Sequence, residues 1–173
     1  MELESRKIAD SRTEMNELVM PNDTNALGNL MGGNLMRWMD IASAICASQH
    51  CGAYVVTVSV DHITFQEPIK LGDIVTIKAC VSRTFHTSLE IFIEVFTKGI
   101  LQHTARKSNQ AFFTFVALDE RTMKPKLIPQ AIPETEAEKK LYDEAAVRRE
   151  FRLVVSGKMK PSDSKFSQDF LSK

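Results

Sequence analysis

The chain has 173 residues, enough for one domain with an extension and a sizeable buried core. Its 22 Lys and Arg balance 22 Asp and Glu, so no global charge argues for a nucleic acid or a membrane surface as partner. No apolar run approaches the roughly 18 residues of a transmembrane helix, and the opening MELESRKIAD lacks the apolar core of a signal peptide.

Residues 1–10 read as a flexible N-terminus. Thr13 to Met20 is a weakly alternating strand that Pro21 ends. A loop rich in Asn, Asp and Gly follows, from Asn22 to Gly33. An apolar helix is then predicted from about Asn34 to His50, with Gly52 ending it. Between Leu35 and Gln49 its only charges are Arg37 and Asp40. A helix this poor in charge is expected to be wrapped all round by its domain. A carboxylate in the middle of it then needs a partner or a task.

Tyr54 to Phe65 is a strand rich in Val and Thr, with Val56, Val58 and Val60 on one face and a phase slip after Asp61-His62 that predicts a bulge. Pro68 and Gly72-Asp73 make a turn. Ile74 to Ser82 and Leu89 to Phe96 alternate cleanly, burying Val75, Ile77, Ala79 and Val81 in one and Leu89, Ile91, Ile93 and Val95 in the other. A last strand is expected over about Leu101 to Leu118. The architecture is therefore α+β: a curved antiparallel sheet wrapped around one long central helix, over residues 11–120.

Residues 121–155 form an irregular crossing marked by Pro125, Pro129 and Pro133, then a C-terminal helix from Glu134 to Phe151. Its acids crowd the start and its arginines the end, as the helix dipole favours. Ala137, Leu141 and Ala145 give it a narrow apolar stripe. Residues 156–173 read as a polar, disordered tail.

Three cysteines, Cys46, Cys51 and Cys80, with no CxxC pair, fit reduced thiols and a cytoplasmic setting. Cys46, His50 and Cys51 are close in sequence, but no second ligand pair follows, so no metal is expected. There is no GxSxG elbow, and the loop holds no histidine before the helix. Asp40 can polarise a water or attack a carbonyl directly. Gly32-Gly33 just before the helix offers unsatisfied amides where the dipole favours negative charge. Asn25 stands in a turn-rich loop, where an Asx-turn is the plain structural reading. Met31, Met36 and Met39 suit either a core or an adaptable apolar tunnel.

The segments PNDTNALGNLMGG, WMDIASA, VTVSVDHITFQEPIKLGD, HTSLEIFIEV and QAFFTFVALD, in this order over roughly residues 10–120, resemble the hot-dog fold acyl-CoA thioesterases, in particular their cytosolic acyl-CoA hydrolase branch. EAEKKLYDEA resembles the C-terminal helix of that branch. The resemblance implies hydrolysis of fatty acyl-CoA to free acid and CoA, with no cofactor, since coenzyme A is part of substrate and product. It implies a homodimer with shared active sites, assembled as a trimer of dimers, with neither nucleic acid nor membrane as partner. It puts Asp40 on the catalytic aspartate and Asn25 on the asparagine facing it from the partner subunit. Gly33 falls on the glycine whose amide meets the thioester oxygen. CoA phosphates call for cations, for which Arg83, Arg106 and Lys107 are candidates. Gly32, His86, Thr87 and Ser88 are candidates for contacts with the substrate. His86 departs from the small residues frequent there. The competing reading is a non-catalytic acyl-CoA-binding sensor or regulator on the same fold. A dehydratase is disfavoured by the missing histidine.

Overall fold

The computed structural model describes residues 4–61, 63 and 67–164. The chain divides into two compact units, Met1–Ile132 and Pro133–Lys173. In the first, β2 (Thr13–Leu18), α1 (Gly32–Cys51), β3 (Tyr54–Asp61), β4 (Asp73–Thr84), β5 (Ser88–Gly99) and β6 (Arg106–Leu118) follow one another. The strands form a five-stranded sheet in the order β2-β4-β5-β6-β3, every neighbouring pair antiparallel. This is the hot-dog arrangement of a sheet curled against one long helix.

The strands alternate as the sequence predicts. Val75, Ile77, Ala79 and Val81 of β4, Leu89, Ile91, Ile93 and Val95 of β5, and Ala111, Phe113, Phe115 and Ala117 of β6 are all buried. α1 packs on all five strands, and Leu35, Trp38, Met39, Ala42, Cys46 and Ala47 are its buried side. Burying a residue of this size contributes roughly 1.5–3 kcal/mol relative to leaving it in water. The helix is not wrapped all round, however. Met36, Ile41 and Ile45 are 39%, 36% and 42% exposed, because one sheet reaches only one side of it.

β3 also differs from expectation. Its register shifts between Thr57 and Ser59. Val56 stands opposite Val116, and Val60 stands opposite the buried Phe113. Directly paired residues share a face, so the bulge puts Val56 and Val60 on opposite faces rather than one. The slip expected after Asp61-His62 falls on a stretch where residues 62 and 64–66 lie outside the described residues.

The N-terminus, expected to fray, is instead tied down from Ser5. β1 (Ser5–Lys7) pairs in parallel with β7 (Gln130–Ile132), and Ile8 and Ser11 in the 3-10 turn that follows are fully buried. The first unit thus takes in residues on both sides of the expected 11–120 domain, because a sequence of three residues carries too little pattern to reveal a strand. Arg6 on β1 donates through Nη1 to the carbonyls of Gln49 and His50, the latter at 2.7 Å, supplying a cation where the α1 dipole is negative. Gly52 then ends α1 in the left-handed region, φ +59°.

In the second unit, α2 (Glu136–Val155) starts on a capping box. Thr135 Oγ1 accepts from the Glu138 amide at 3.2 Å, and Glu138 Oε2 accepts from the Thr135 amide at 3.0 Å. Ala145 is buried as expected, but Ala137 is exposed and Glu138 takes the buried place, because the capping box turns it inward. Part of the expected tail is ordered: Pro161–Asp163 is a 3-10 turn and Ser164 donates to Glu150 at 3.0 Å. Residues 165–173 lie outside the described residues. Among the described residues, no helix is long and apolar enough to cross a membrane.

His50 gives this fold a pH dependence. It is fully buried, with Nδ1 3.1 Å from Ser11 Oγ. Burial, and then the nearby Arg6 charge, pull its pKa down from 6.5 to about 4. The unfolded chain therefore takes up this proton first. The His50 contribution is complete above pH 6.5 and is lost as pH falls toward 4, by about 3 kcal/mol in all. Urea unfolding at pH 7 and pH 4.5 should show a smaller acid loss in His50→Leu than in the wild type.

Candidate active site

Asp40 sits half-buried midway along α1, where the sheet leaves the helix open. Its Oδ1 accepts a 2.7 Å hydrogen bond from Thr57 Oγ1. Thr57 stands opposite the buried Phe115, so it points to the helix side of the sheet, immediately before the β3 bulge. After the bulge Ser59 stands opposite Thr114 on the outer face, and Val60, opposite Phe113, returns to the face of Thr57. Among the described residues, neither Arg37 nor a backbone donor pairs with Asp40. Oδ2 stays available, which is what a carboxylate needs if it is to take a proton or attack a carbon.

Gly32 and Gly33 are the first residues of α1, which starts two residues earlier than expected. The N-cap, Met31, offers no side-chain cap. Asn34 and Leu35 amides both donate to the Met31 carbonyl, at 3.0 and 3.2 Å. The amides of Gly32 and Gly33 have no partner among the described residues, so two donors at a positive helix end are open. Nothing lies within 4 Å of where a Cβ on Gly33 would stand. Gly33 is seven residues before Asp40, about 10 Å along the axis and on nearly the same face.

Asn25 is exposed at the tip of the preceding loop. Its Oδ1 accepts from the amides of Leu27 at 2.9 Å and Asn29 at 3.2 Å. That is the turn geometry the sequence allowed, and it decides the chemistry left over. The oxygen is committed to the loop, and the Nδ2 protons remain free to donate. Asn25 and Asp40 share no hydrogen bond within the chain. Asp23, read from sequence as a turn residue, ties the loop base to the helix.

The other candidates are dispersed. His86, Thr87 and Ser88 form the β4–β5 hairpin, near the row of the sheet that holds Thr57. Ser88 faces away from α1, since it pairs with Val116 while its neighbour Leu89 is buried. Arg83 pairs with Glu90 on that same outer face and lies 5.8 Å from the Phe85 ring. Arg106 is ion-paired to Glu67 and donates to the Pro68 carbonyl at 3.3 Å. Lys107 binds Glu94 at 2.8 Å and Gln110 at 2.9 Å. Arg106 lies nine residues along β6 from Phe115, about 30 Å from the Thr57 row, so one chain does not bring it or Lys107 to Asp40.

Met39 belongs to the core, whereas Met31 and Met36 stay exposed near Gly33. Cys46 and Cys51 are buried, and burial pushes both thiols up to about 12. Such thiols are poor nucleophiles and poor ligands. Among the described residues, no three His, Cys, Asp or Glu side chains are grouped to hold a metal. Thr57 was invisible to sequence reasoning, because a threonine in a strand reads simply as a good strand former.

The family model described as "Thioesterase superfamily" matches residues 27–102. Mouse acyl-coenzyme A thioesterase 11 is 37% identical over 87% of this chain. The mouse cytosolic acyl coenzyme A thioester hydrolase is 35% identical over 84%. The chain spans only 25% and 38% of the length of those two relatives. An uncharacterized acyl-CoA thioester hydrolase, YkhA of Bacillus subtilis, is 34% identical over 84% of both chains. Among solved structures, an apo-hexameric acyl-CoA thioesterase superposes with a TM-score of 0.84 at 36% identity, over 89% of this chain and 98% of that one. The acyl-CoA hydrolase of Staphylococcus aureus with butyryl coenzyme A, coenzyme A and coenzyme A disulfide gives 0.82 at 34% identity, over 98% and 99%. That hydrolase also matches as variants with an aspartate, a threonine or an asparagine replaced by alanine.

Proposed function

The chain belongs to the thioesterase superfamily, and from that premise we propose that it hydrolyses fatty acyl-CoA to the free acid and CoA. The observation that carries this reading is the Thr57–Asp40 hydrogen bond, which presents a fixed carboxylate on the open side of the central helix. The aspartate, threonine and asparagine replaced in the S. aureus hydrolase share the sequence spacing of Asp40, Thr57 and Asn25, which supports the same assignment.

Asp40 Oδ2 removes a proton from water as its oxygen attacks the thioester carbonyl, or attacks that carbon itself to give a mixed anhydride that water then opens. The oxygen that gains negative charge is received by the Gly33 amide of the subunit that supplies Asn25, with the helix dipole behind it, since Gly33 and Asp40 of one chain stand about 10 Å apart. The tetrahedral species collapses, the C–S bond breaks, and the CoA thiolate leaves and takes up a proton. No cofactor takes part. Thr57 fixes the carboxylate, and Gly32 leaves room beside the reacting carbonyl.

Asn25 acts from the partner subunit, donating through Nδ2 to the water or the thioester oxygen. Three features support a shared site. Asn25 is exposed and does not reach Asp40 in its own chain. β3 is an edge strand carrying Tyr54, Val56, Val58 and Val60, all exposed, beside unpaired backbone groups. The uncovered stripe of Met36, Ile41 and Ile45 lies on the adjoining helix. A second copy pairing edge to edge would cover both surfaces. The hexameric relative favours three such dimers per assembly. Arg83, Arg106, Lys107, His86, Thr87 and Ser88 enter only as contacts for the CoA portion, Arg106 and Lys107 from the partner's side. Free cysteines and the relative named cytosolic fit a cytoplasmic setting.

Release of CoA thiol from acyl-CoAs of increasing chain length tests the activity. Asp40→Asn should lower turnover by about 10²- to 10⁴-fold, and Thr57→Val by about 10- to 100-fold, the worth of a hydrogen bond to a charged group. Wild-type binding of acyl-CoA without hydrolysis would instead identify a sensor. Mixing Asn25→Ala with Asp40→Asn subunits should restore activity in heterodimers; verified heterodimers without recovery would put the whole site in one chain. Val58→Asp, which places a charge on the open edge, should give a monomer by light scattering and abolish hydrolysis with it.

A further inference from the structure

A carboxylate close to a helix N-terminus ordinarily becomes its cap, accepting from the first free amides. Asp23 stands in that place and does not do so. Its Oδ2 accepts from the Met20 amide at 3.0 Å, and its Oδ1 lies 3.4 Å from Asn34 Nδ2. Its backbone carbonyl accepts from the Met31 amide at 2.9 Å and from Asn34 Nδ2 at 3.3 Å. Asn34 is the third residue of α1, so the group that engages Asp23 comes from the very turn an ordinary cap would serve. Both carboxylate oxygens accept from other donors, and the amides of Gly32 and Gly33 have no partner among the described residues.

The same contacts fix a distance. Asn25 follows two residues after Asp23, and Gly32 follows directly on Met31. Between them the loop is closed on itself. Thr24 bridges Leu30, the Asn25 amide donates to the Asn29 carbonyl at 2.8 Å, and the Leu30 amide is held by the Ile69 carbonyl at 2.7 Å. Asp23 is where the two ends of this closed loop and the first turn of the helix meet.

We propose that Asp23 and Asn34 are a positioning pair that keeps the Gly32–Gly33 amides vacant and holds Asn25 and Gly33 of one subunit in a single rigid frame. This rests on the hydrolase reading above and names the residues that shape the oxyanion side of that site. Neither residue touches the reacting atoms. Asn34 acts by holding the Asp23 carboxylate away from the amides, and Asp23 by closing the loop base. Both matter for the rate rather than for binding, because the transition-state oxygen, not the ground-state thioester, demands the amides.

The test measures kcat, KM and thermal midpoint for wild type, Asp40→Asn, Asp23→Ala, Asn34→Ala and the double variant. Asn34→Ala removes no bond between two backbone groups, only the side-chain donations to the Asp23 carbonyl and carboxylate. Its kcat should fall by about 10- to 100-fold, as small misplacements of catalytic groups do, with KM within about twofold and the thermal midpoint unchanged. Asp23→Ala should lose kcat similarly. The double variant should be no slower than the slower single variant, since the two act as one unit. A kcat of Asn34→Ala within twofold of wild type overturns the proposal, as does a double variant whose losses multiply. A fallen midpoint with kcat intact shows a merely structural pair and overturns it too. Should Asp23→Ala fail to fold, Asn34→Ala alone decides. An inactive wild type, by contrast, removes the hydrolase reading itself.

Discussion

A single curved sheet can cover only one side of a helix, and the consequences of that limit run through the molecule. α1 is apolar nearly all round, yet only one side of it is buried, carrying among others Leu35, Trp38, Met39, Ala42, Cys46 and Ala47. The uncovered side carries Met36, Ile41 and Ile45, exposed but not polar, with Asp40 among them. An aspartate there is neither sealed in the core, where an unpaired charge is costly, nor left to free solvent. It is held from one side by Thr57 and open on the other. The same limit leaves β3 at the sheet edge, so the strand that positions Asp40 is also the strand best placed to meet a second copy.

The spacing along α1 explains why the site divides as it does. The open amides and the carboxylate share a helix face but stand about two turns apart. Hydrogen bonds that act on one carbonyl work at about 3 Å, so a rigid helix cannot fold its own ends together over a small group. Substrate must span the gap or the second chain must help. The loop from Asp23 to Met31 is built for either case. Its internal hydrogen bonds make it a closed body that moves with the N-terminus of α1, whichever subunit's aspartate it faces.

Much of this was legible in the residues. Strict alternation in β4 and β5 marked the buried face correctly, because each core position recurs with the period of the pleat. Asp40 stood out as a charge where its helix had almost none. What stayed hidden was set by contacts distant in sequence. Thr57 looks like any strand threonine until the fold puts it 2.7 Å from Asp40. Val56 and Val60 look like one face until a bulge separates them. β1 has only three residues, and its pairing with β7 joins the two extremes of the first unit. The motif resemblance singled out Asn25 and Gly33 as candidates. It said nothing of Asp23, whose carboxylate accepts from Met20 and Asn34 and leaves the amide donors of Gly32 and Gly33 alone.

The two ends of α1 are treated in opposite ways, and the contrast separates stability from chemistry. At the C-terminus every device for satisfying carbonyls is present. Gly52 turns the chain back with its amide on Ser48, and Arg6 brings a cation to Gln49 and His50. His50 and Ser11 close the space beneath, fully buried. At the N-terminus Met31 offers no side-chain cap, and the nearby Asp23 carboxylate meets the side chain of Asn34 instead. Water can satisfy the Gly32 and Gly33 amides in the resting protein, so leaving them open costs little stability. A protein that required only a stable helix would have used the Asp23 carboxylate there. That it binds Met20 and Asn34 instead is the arrangement expected where those amides must remain free for a transient negative charge.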